Sequence, residues 1–182
     1  MGTDRKSVEL AVVEVREETP DSRTFVLEVP SALSETFAYR AGQYCTFNVT
    51  IDGRPVERSY SMSSAPGVDR VFAVTVKRVA NGRMSNWLID HVGVGDRLAA
   101  TPPLGRFVLR DSEAPIVAFC GGSGVTPVFS LLKTVLAAGS RSFRLICANR
   151  AEDDILFREA LAALAGEHPD RFSLYHLSLI HI

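Results

Sequence analysis

Two hydrophobic rhythms divide this chain near Asp111, and no single type of sheet accommodates both. Before that point apolar residues alternate with polar ones: Val8, Leu10 and Val12; Phe25, Leu27 and Val29; Cys45, Phe47, Val49 and Ile51. Period two over such runs predicts half-buried antiparallel strands. After it, Ile116 to Cys120 is a continuous apolar run, which predicts a parallel strand buried on both faces. Gly121-Gly122-Ser123-Gly124 follows, then helical spacing from Thr126 to Ala138 with Gly139 as the C′ residue. A second strand is expected over Phe143 to Ala148, a second helix over Ile155 to Ala165, and a third strand from Phe172. That β-α-β-α-β order implies a parallel α/β sheet.

The first region is punctuated by turns. Asp52-Gly53 is a hairpin signal. Further strands are expected over Val56 to Met62, ended by Ala65-Pro66-Gly67, and over Val71 to Val79, ended by Asn81-Gly82. One short helix interrupts them, with Ser85 as its cap and Trp87, Leu88, His91 and Val92 at helical spacing. Strand signals resume at Leu98 and again at Phe107-Val108-Leu109. The expected fold is therefore an α+β two-domain chain. A six-stranded antiparallel β-barrel with one short helix occupies residues 1–112, and an incomplete α/β parallel-sheet nucleotide-binding domain occupies 113–182. Three strands and two helices are about half of a doubly wound fold. The last residues, Ser178 to Ile182, follow no element logic and are expected to be a non-native tail of the kind that ends fragmentary gene models.

Composition narrows the function. A formal net charge of -1 gives no global basic field, so no nucleic-acid partner is expected. Met1 to Leu10 has charges but no apolar run, so it is not read as a signal peptide, and no stretch reaches the ~18 apolar residues of a membrane span. Cys45, Cys120 and Cys147 form no C-x-x-C pair, which predicts neither a metal site nor an iron–sulfur cluster. They are expected to be reduced core residues, with a cytoplasmic location as the default.

Five segments carry chemistry. On a strand, Arg58 and Tyr60 share one face and Ser59 and Ser61 the other. The guanidinium can grip a phosphate bidentately, the phenol offers a ring face and a hydroxyl, and a serine can hydrogen-bond a ring nitrogen. Alone, the tetrapeptide also fits a solvated barrel edge. Lys77-Arg78 and Gly82-Arg83-Met84-Ser85-Asn86 add cations and free N–H groups at a helix start, enough to surround a pyrophosphate, or else a plain turn and a capped helix. Gly121 to Pro127 sits between a strand and a helix, where α/β folds bind nucleotides, although it is neither G-x-G-x-x-G nor a Walker A loop. Asn149-Arg150 ends the next strand; Arg150 could stack on adenine, pair with a 2′-phosphate, or simply be a solvated loop arginine.

In order and spacing these segments resemble the ferredoxin–NADP⁺ reductase superfamily over nearly the whole chain. Val76-Lys77-Arg78-Val79, Ser85-Asn86-Trp87-Leu88 and Thr101 to Phe107 are similar, more narrowly, to reductase components of bacterial oxygenases of the 3-ketosteroid 9α-hydroxylase and phenylacetyl-CoA epoxidase type. The resemblance implies FAD as cofactor and NAD(P)H as substrate. It implies Arg58 on the FAD pyrophosphate, Ser59 and Tyr60 beside it with Tyr60 on the isoalloxazine, and Ser61 near its N5. Thr75, Val76, Lys77, Gly82, Arg83, Met84 and Ser85 would line the rest of the FAD site. Gly121, Gly122 and Gly124 would receive NAD(P)H with Asn149 and Arg150. Ser61 and Thr126 would be the catalytic positions, Thr126 lying between flavin and nicotinamide. The implied function is hydride transfer to FAD, then single-electron transfer to a [2Fe–2S] centre that only a longer protein would carry, with an oxygenase component or its iron–sulfur acceptor as partner. An FAD-binding module of little activity, or a stand-alone flavin or ferredoxin reductase, are the alternatives.

Overall fold

The computed structural model describes residues 6–178. Its first sheet is built from β1 (Val8–Thr19), β2 (Ser22–Glu28), β3 (Tyr44–Ile51), β4 (Arg54–Ser61), β5 (Phe72–Lys77) and β6 (Arg97–Ala100), paired in the order β4-β3-β6-β1-β2-β5. Every pairing in it is antiparallel. The β3–β4 hairpin turns on Asp52 (φ 51°) and Gly53 (φ 72°), the left-handed pair that a two-residue turn demands. The alternating residues converge on one core: Leu10, Phe25, Phe47, Met62 and Leu98 are all essentially inaccessible. Each such side chain contributes roughly 1.5–3 kcal/mol on burial. Helix α1 (Arg83–His91) plugs that core with Met84, Leu88 and Ile89, and Trp87 packs at its margin.

The end strands β4 and β5 close the barrel only at one place. Met62 bridges to Val74, and Ser63 N donates to Ala73 O at 2.9 Å. Beyond that bridge no described ladder joins the two strands, and this seam positions the site described below.

The second sheet is parallel, with β7 (Ile116–Gly121), β8 (Phe143–Asn149) and β9 (Phe172–Ser178) in chain order. Helices α2 (Val125–Ala137) and α3 (Arg158–Glu167) cover one face, burying Phe143, Leu145, Cys147 and Phe172 against Phe129, Leu132 and Leu161. Phe129 and Phe157 stack at 4.3 Å. Three polar contacts fasten this half to the barrel: Ser130 Oγ donates to Ser64 O at 2.6 Å, Lys133 pairs with Asp69, and Lys77 pairs with Asp154 at 3.3 Å.

Several expectations are corrected. Strand β7 is buried on one face only; Val117 and Phe119 on the other are 53% and 74% exposed, because both described helices lie on the opposite side. Phe107-Val108-Leu109 is not a strand. Both edges of β6 are already taken by β1 and β3, and the carbonyls of Gly105 and Leu109 go instead to the side chains of Gln43 and Arg40. The segment crosses Gly42, where a Cβ would lie 2.0 Å from Phe107 O at a φ of +91°. Helix α1 begins at Arg83, so Ser85 is not its cap; its Oγ turns back to accept from Val79 N at 3.1 Å. The last helix starts at Arg158 rather than Ile155, since Phe157 adopts a left-handed φ of 58° to stack on Phe129. Ser178 is part of β9, opposite Asn149, and not of an irregular tail; the remaining positions of that expectation, 179–182, lie outside the described residues.

Candidate functional site

The seam between β4 and β5 opens onto a cavity of about 640 Å³. Arg58, Ser59 and Tyr60 line it from β4, Thr75 and Lys77 from β5, and Gly82, Arg83, Met84 and Ser85 from the start of α1. These come from three separate stretches of sequence, and the barrel closure brings them to one wall. Register explains the orientation of the first stretch. Arg58 lies opposite Phe47 and Tyr60 opposite Cys45, so both share the face of those core residues. Tyr60 packs on Phe47 at 6.0 Å, and burial pushes its phenol up to about 12, against the pull of Arg58. Ser59 pairs with Thr46 through their hydroxyls at 2.9 Å.

The cations are not equally free. Arg58 is exposed and, among the described residues, donates only to the carbonyl of its neighbour Glu57, so its guanidinium can turn to a ligand. Arg83 donates to Ile51 O at 3.0 Å and lies 3.7 Å from Asp52, tying α1 to the hairpin. Lys77 sits between Asp21 (3.4 Å) and Asp154 (3.3 Å), so its charge is already compensated. Arg78 turns away to Asp90.

The remaining expected residues stand in different relations to this wall. Val76 is 1% exposed in the barrel core, so its side chain cannot meet a ligand; period two sends it inward between Thr75 and Lys77. Thr75 reaches the cavity, but its hydroxyl is shared with Thr24 at 2.6 Å. Gly82 lines the cavity, and its own turn also needs a glycine, since a Cβ there would meet Ser85 Oγ at 2.6 Å. Ser61 ends β4 opposite Tyr44, outside the lining of that cavity.

The glycine turn meets the same cavity from the other half. Gly122 to Gly124 form a 3-10 turn with Gly122 at φ +50°, and Ser123 lines the cavity beside Ser85. Thr126 follows in the first turn of α2. It is 2% exposed, and its Oγ1 is a buried hydroxyl without a hydrogen-bond partner among the described residues. A buried hydroxyl in that state is destabilising by about 1–3 kcal/mol unless a water or a ligand satisfies it. Asn149 and Arg150 lie at the carboxyl end of β8, lining a separate hollow of about 560 Å³ with Arg158 and His176. Sequence reasoning missed Ser123 and Asn81 as lining residues, although both sit in turns it had recognised. It also missed the pairs Lys133–Asp69 and Lys77–Asp154, whose partners are 64 and 77 positions apart.

This arrangement has known counterparts. The model of the oxidoreductase FAD-binding domain matches residues 9–109, and that of the oxidoreductase NAD-binding domain matches 119–180. The chain belongs to the FAD-binding oxidoreductase family. It is 42% identical over 172 residues to the ferredoxin reductase component of the 3-ketosteroid-9-alpha-monooxygenase of Rhodococcus rhodochrous, covering 94% of this chain and 49% of that one. It is 34% identical to one component of the 1,2-phenylacetyl-CoA epoxidase of Escherichia coli, covering 91% and 47%. Among solved structures it resembles the Amycolatopsis cytochrome P450 reductase GcoB, with 32% identity and a TM-score of 0.81, over 94% of this chain and 52% of that one. The chain thus spans about half the length of the curated relatives it matches.

The seam suits a flavin dinucleotide. Its volume falls within the usual range for ligand sites, and it offers a ring face, hydroxyls, the Arg58 guanidinium and the backbone N–H groups of a helix start. Thr126, three residues beyond Ser123, is not part of the cavity lining.

Proposed function

We propose that this chain binds FAD in the barrel seam and is the flavin-binding part of an NAD(P)H-dependent reductase that serves a multicomponent oxygenase. The observation that carries the reading is the convergence of Arg58, Tyr60, Lys77 and Arg83 to Ser85 on one cavity that Ser123 of the glycine turn also lines. In this reading Arg58 binds the pyrophosphate, Tyr60 packs on the ring system, and the α1 start carries further phosphate contacts. Lys77 contributes charge to that wall while it holds Asp154. Ser61 and Thr126 orient the reacting edge, and Gly121, Gly122 and Gly124 receive the nucleotide, with its adenosine end toward Asn149 and Arg150. FAD supplies the two-electron to one-electron chemistry, while the protein positions and shields it. The domain division is taken as 1–112 and 113–182, and the setting as cytoplasmic. Electrons would pass to a [2Fe–2S] centre elsewhere in a longer protein, and from there to an oxygenase component.

A second reading, an FAD module of low reductase activity, has one observation in its favour. The described β7-β8-β9 sheet carries helices on a single face, leaving Phe119, Val117, Tyr175 and Leu177 exposed on the other.

The test is to load the purified chain with FAD, remove the excess by gel filtration, and measure the flavin retained. Wild type retains it near equimolar, and Arg58→Ala weakens binding by roughly 10- to 100-fold, the loss of a charge-assisted phosphate contact. A wild-type chain that folds but emerges colourless overturns the proposal. Anaerobic NADH or NADPH then separates the two readings by whether the flavin absorbance is lost.

A further inference from the structure

Two of the three cysteines form a pair that the flavin site does not use. Cys120 in β7 and Cys147 in β8 lie directly opposite each other in the parallel ladder. Their sulfurs are 3.1 Å apart. Neighbouring strands run about 4.8 Å apart, inside the Cα separation that a disulfide spans. Cys147 is buried, while Cys120 keeps part of its surface open to solvent. The two sulfurs share a hydrogen bond in which either thiol can donate; with Cys120 as donor it pulls Cys147 below the ordinary thiol range and pushes Cys120 above it. One sulfur is thus prepared as the nucleophile beside a second that can resolve it. Cys45 offers the contrast: it lies alone in the barrel against Met62, and burial pushes its thiol up to about 12.

The position of the pair matters as much as its geometry. Cys120 immediately precedes Gly121-Gly122, and Cys147 precedes Ala148-Asn149-Arg150. The two strand ends are already close, since a Cβ on Gly121 would lie 3.3 Å from Ala148 O.

We propose that Cys120 and Cys147 form a reversible redox site, closed to a disulfide by hydrogen peroxide, that weakens nucleotide binding at the adjoining glycine turn. The last clause rests on the reading of that turn as the NAD(P)H site. In the first step the Cys147 thiolate attacks one peroxide oxygen; an S–O bond forms, the O–O bond breaks, and hydroxide leaves. In the second the Cys120 sulfur attacks the resulting sulfenic sulfur; the S–S bond forms, the S–O bond breaks, and the departing hydroxide takes the Cys120 proton as water. In sum two thiols lose two electrons and two protons, and one peroxide becomes two waters. Bond formation draws the sulfurs about 1 Å closer than their present 3.1 Å, and the strain falls on the strand ends that carry Gly121 and Asn149.

The experiment treats the purified chain with equimolar hydrogen peroxide and maps its peptides without reduction. The expected product is a cross-linked peptide pair joining Cys120 to Cys147, lighter by two hydrogens, restored by dithiothreitol, with Cys45 still a free thiol. Sulfinic or sulfonic acid at either position without the cross-link overturns the proposal. Titration of reduced and oxidised chain with NADH and with NADPH, followed by protein fluorescence, reads the coupling. A rise in Kd of about fivefold or more on oxidation, the lower end of ordinary site-to-site coupling, supports it. A cross-link that leaves Kd unchanged overturns the control of binding. If neither form binds a nucleotide, the proposed function fails at this turn, and the peptide map still decides the disulfide independently.

Discussion

Replacing Thr126 by valine should make the ligand-free chain more stable and less competent. Oγ1 of Thr126 is buried and unpartnered among the described residues, on a side chain 2% exposed at the start of α2. Desolvating a hydroxyl without returning a hydrogen bond costs about 1–3 kcal/mol, whereas an apolar group of the same shape carries no such penalty. Valine matches threonine in shape, and only its lower helix preference in the first turn opposes the gain. A net stabilisation of about 1 kcal/mol follows, which for a chain of this size raises Tm by roughly 2–4 °C. Circular dichroism of apo wild type and Thr126→Val reads the shift, and Thr126→Ser, which keeps the hydroxyl, should not reproduce it. The functional half is the mirror image. If that hydroxyl is held for the reacting ligands, the valine variant retains flavin but loses flavin absorbance with NAD(P)H about tenfold more slowly, the value of one hydrogen bond. A Thr126→Val chain that melts below wild type would refute the reasoning, because it would mean the hydroxyl already has a partner.

Two further substitutions test other parts of the structure. Gly42→Ala should destabilise by at least about 2 kcal/mol in urea unfolding, since its Cβ would sit 2.0 Å from the Phe107 carbonyl at a positive φ that alanine resists; a neutral result would mean the 103–109 segment is free to move away. For Asp21, burial pushes the carboxyl up, but hydrogen bonds from the Thr19 and Ser22 hydroxyls and the Lys77 ammonium together outweigh it and hold the group below its ordinary 3.8. A carboxyl with a lowered folded value lends stability that is present above its unfolded value and lost as pH falls through the folded one. Wild type should therefore lose stability more steeply than Asp21→Asn as pH falls below about 4, and parallel acid curves for the two would count against the Asp21–Lys77 link.

Much of the fold was legible because its elements are local. Alternation at Leu10 and Val12, at Phe25 and Leu27, and at Cys45 and Phe47 named the buried face of each barrel strand, and Asp52-Gly53 named the hairpin. The failures occur where a tertiary contact overrides a local pattern. Phe157 is an adequate helix residue, yet it takes a left-handed φ to reach the Phe129 ring. Phe107 to Leu109 read as a strand, but both edges of β6, the strand before it, are taken by β1 and β3. The apolar run at Ile116 to Cys120 correctly named a strand and wrongly implied two covering layers, because composition reports what a surface prefers and not what is present to cover it. In the candidate site, residue type was legible and pairing was not. Nothing at Lys77 announces that its partners are Asp21 and Asp154, the second of them 77 positions away.

That pairing changes how the two halves of the site relate. Lys77 lines the seam cavity and at the same time holds Asp154, in the 3-10 turn that leads to α3. A phosphate arriving in the seam would compete with Asp21 and Asp154 for one ammonium group, whereas Arg58 is committed to nothing but a neighbouring carbonyl. The guanidinium is therefore the group that can bind a flavin phosphate without loosening the structure. Any charge that Lys77 yields to a ligand is withdrawn from a contact between the barrel and the second half. Ser130 on Ser64 and Lys133 on Asp69 hold the same two halves independently, on the far side of the Met62–Val74 bridge. Loss of the Lys77–Asp154 contact would then free the β8–α3 connection while Ser130 and Lys133 keep α2 against the barrel.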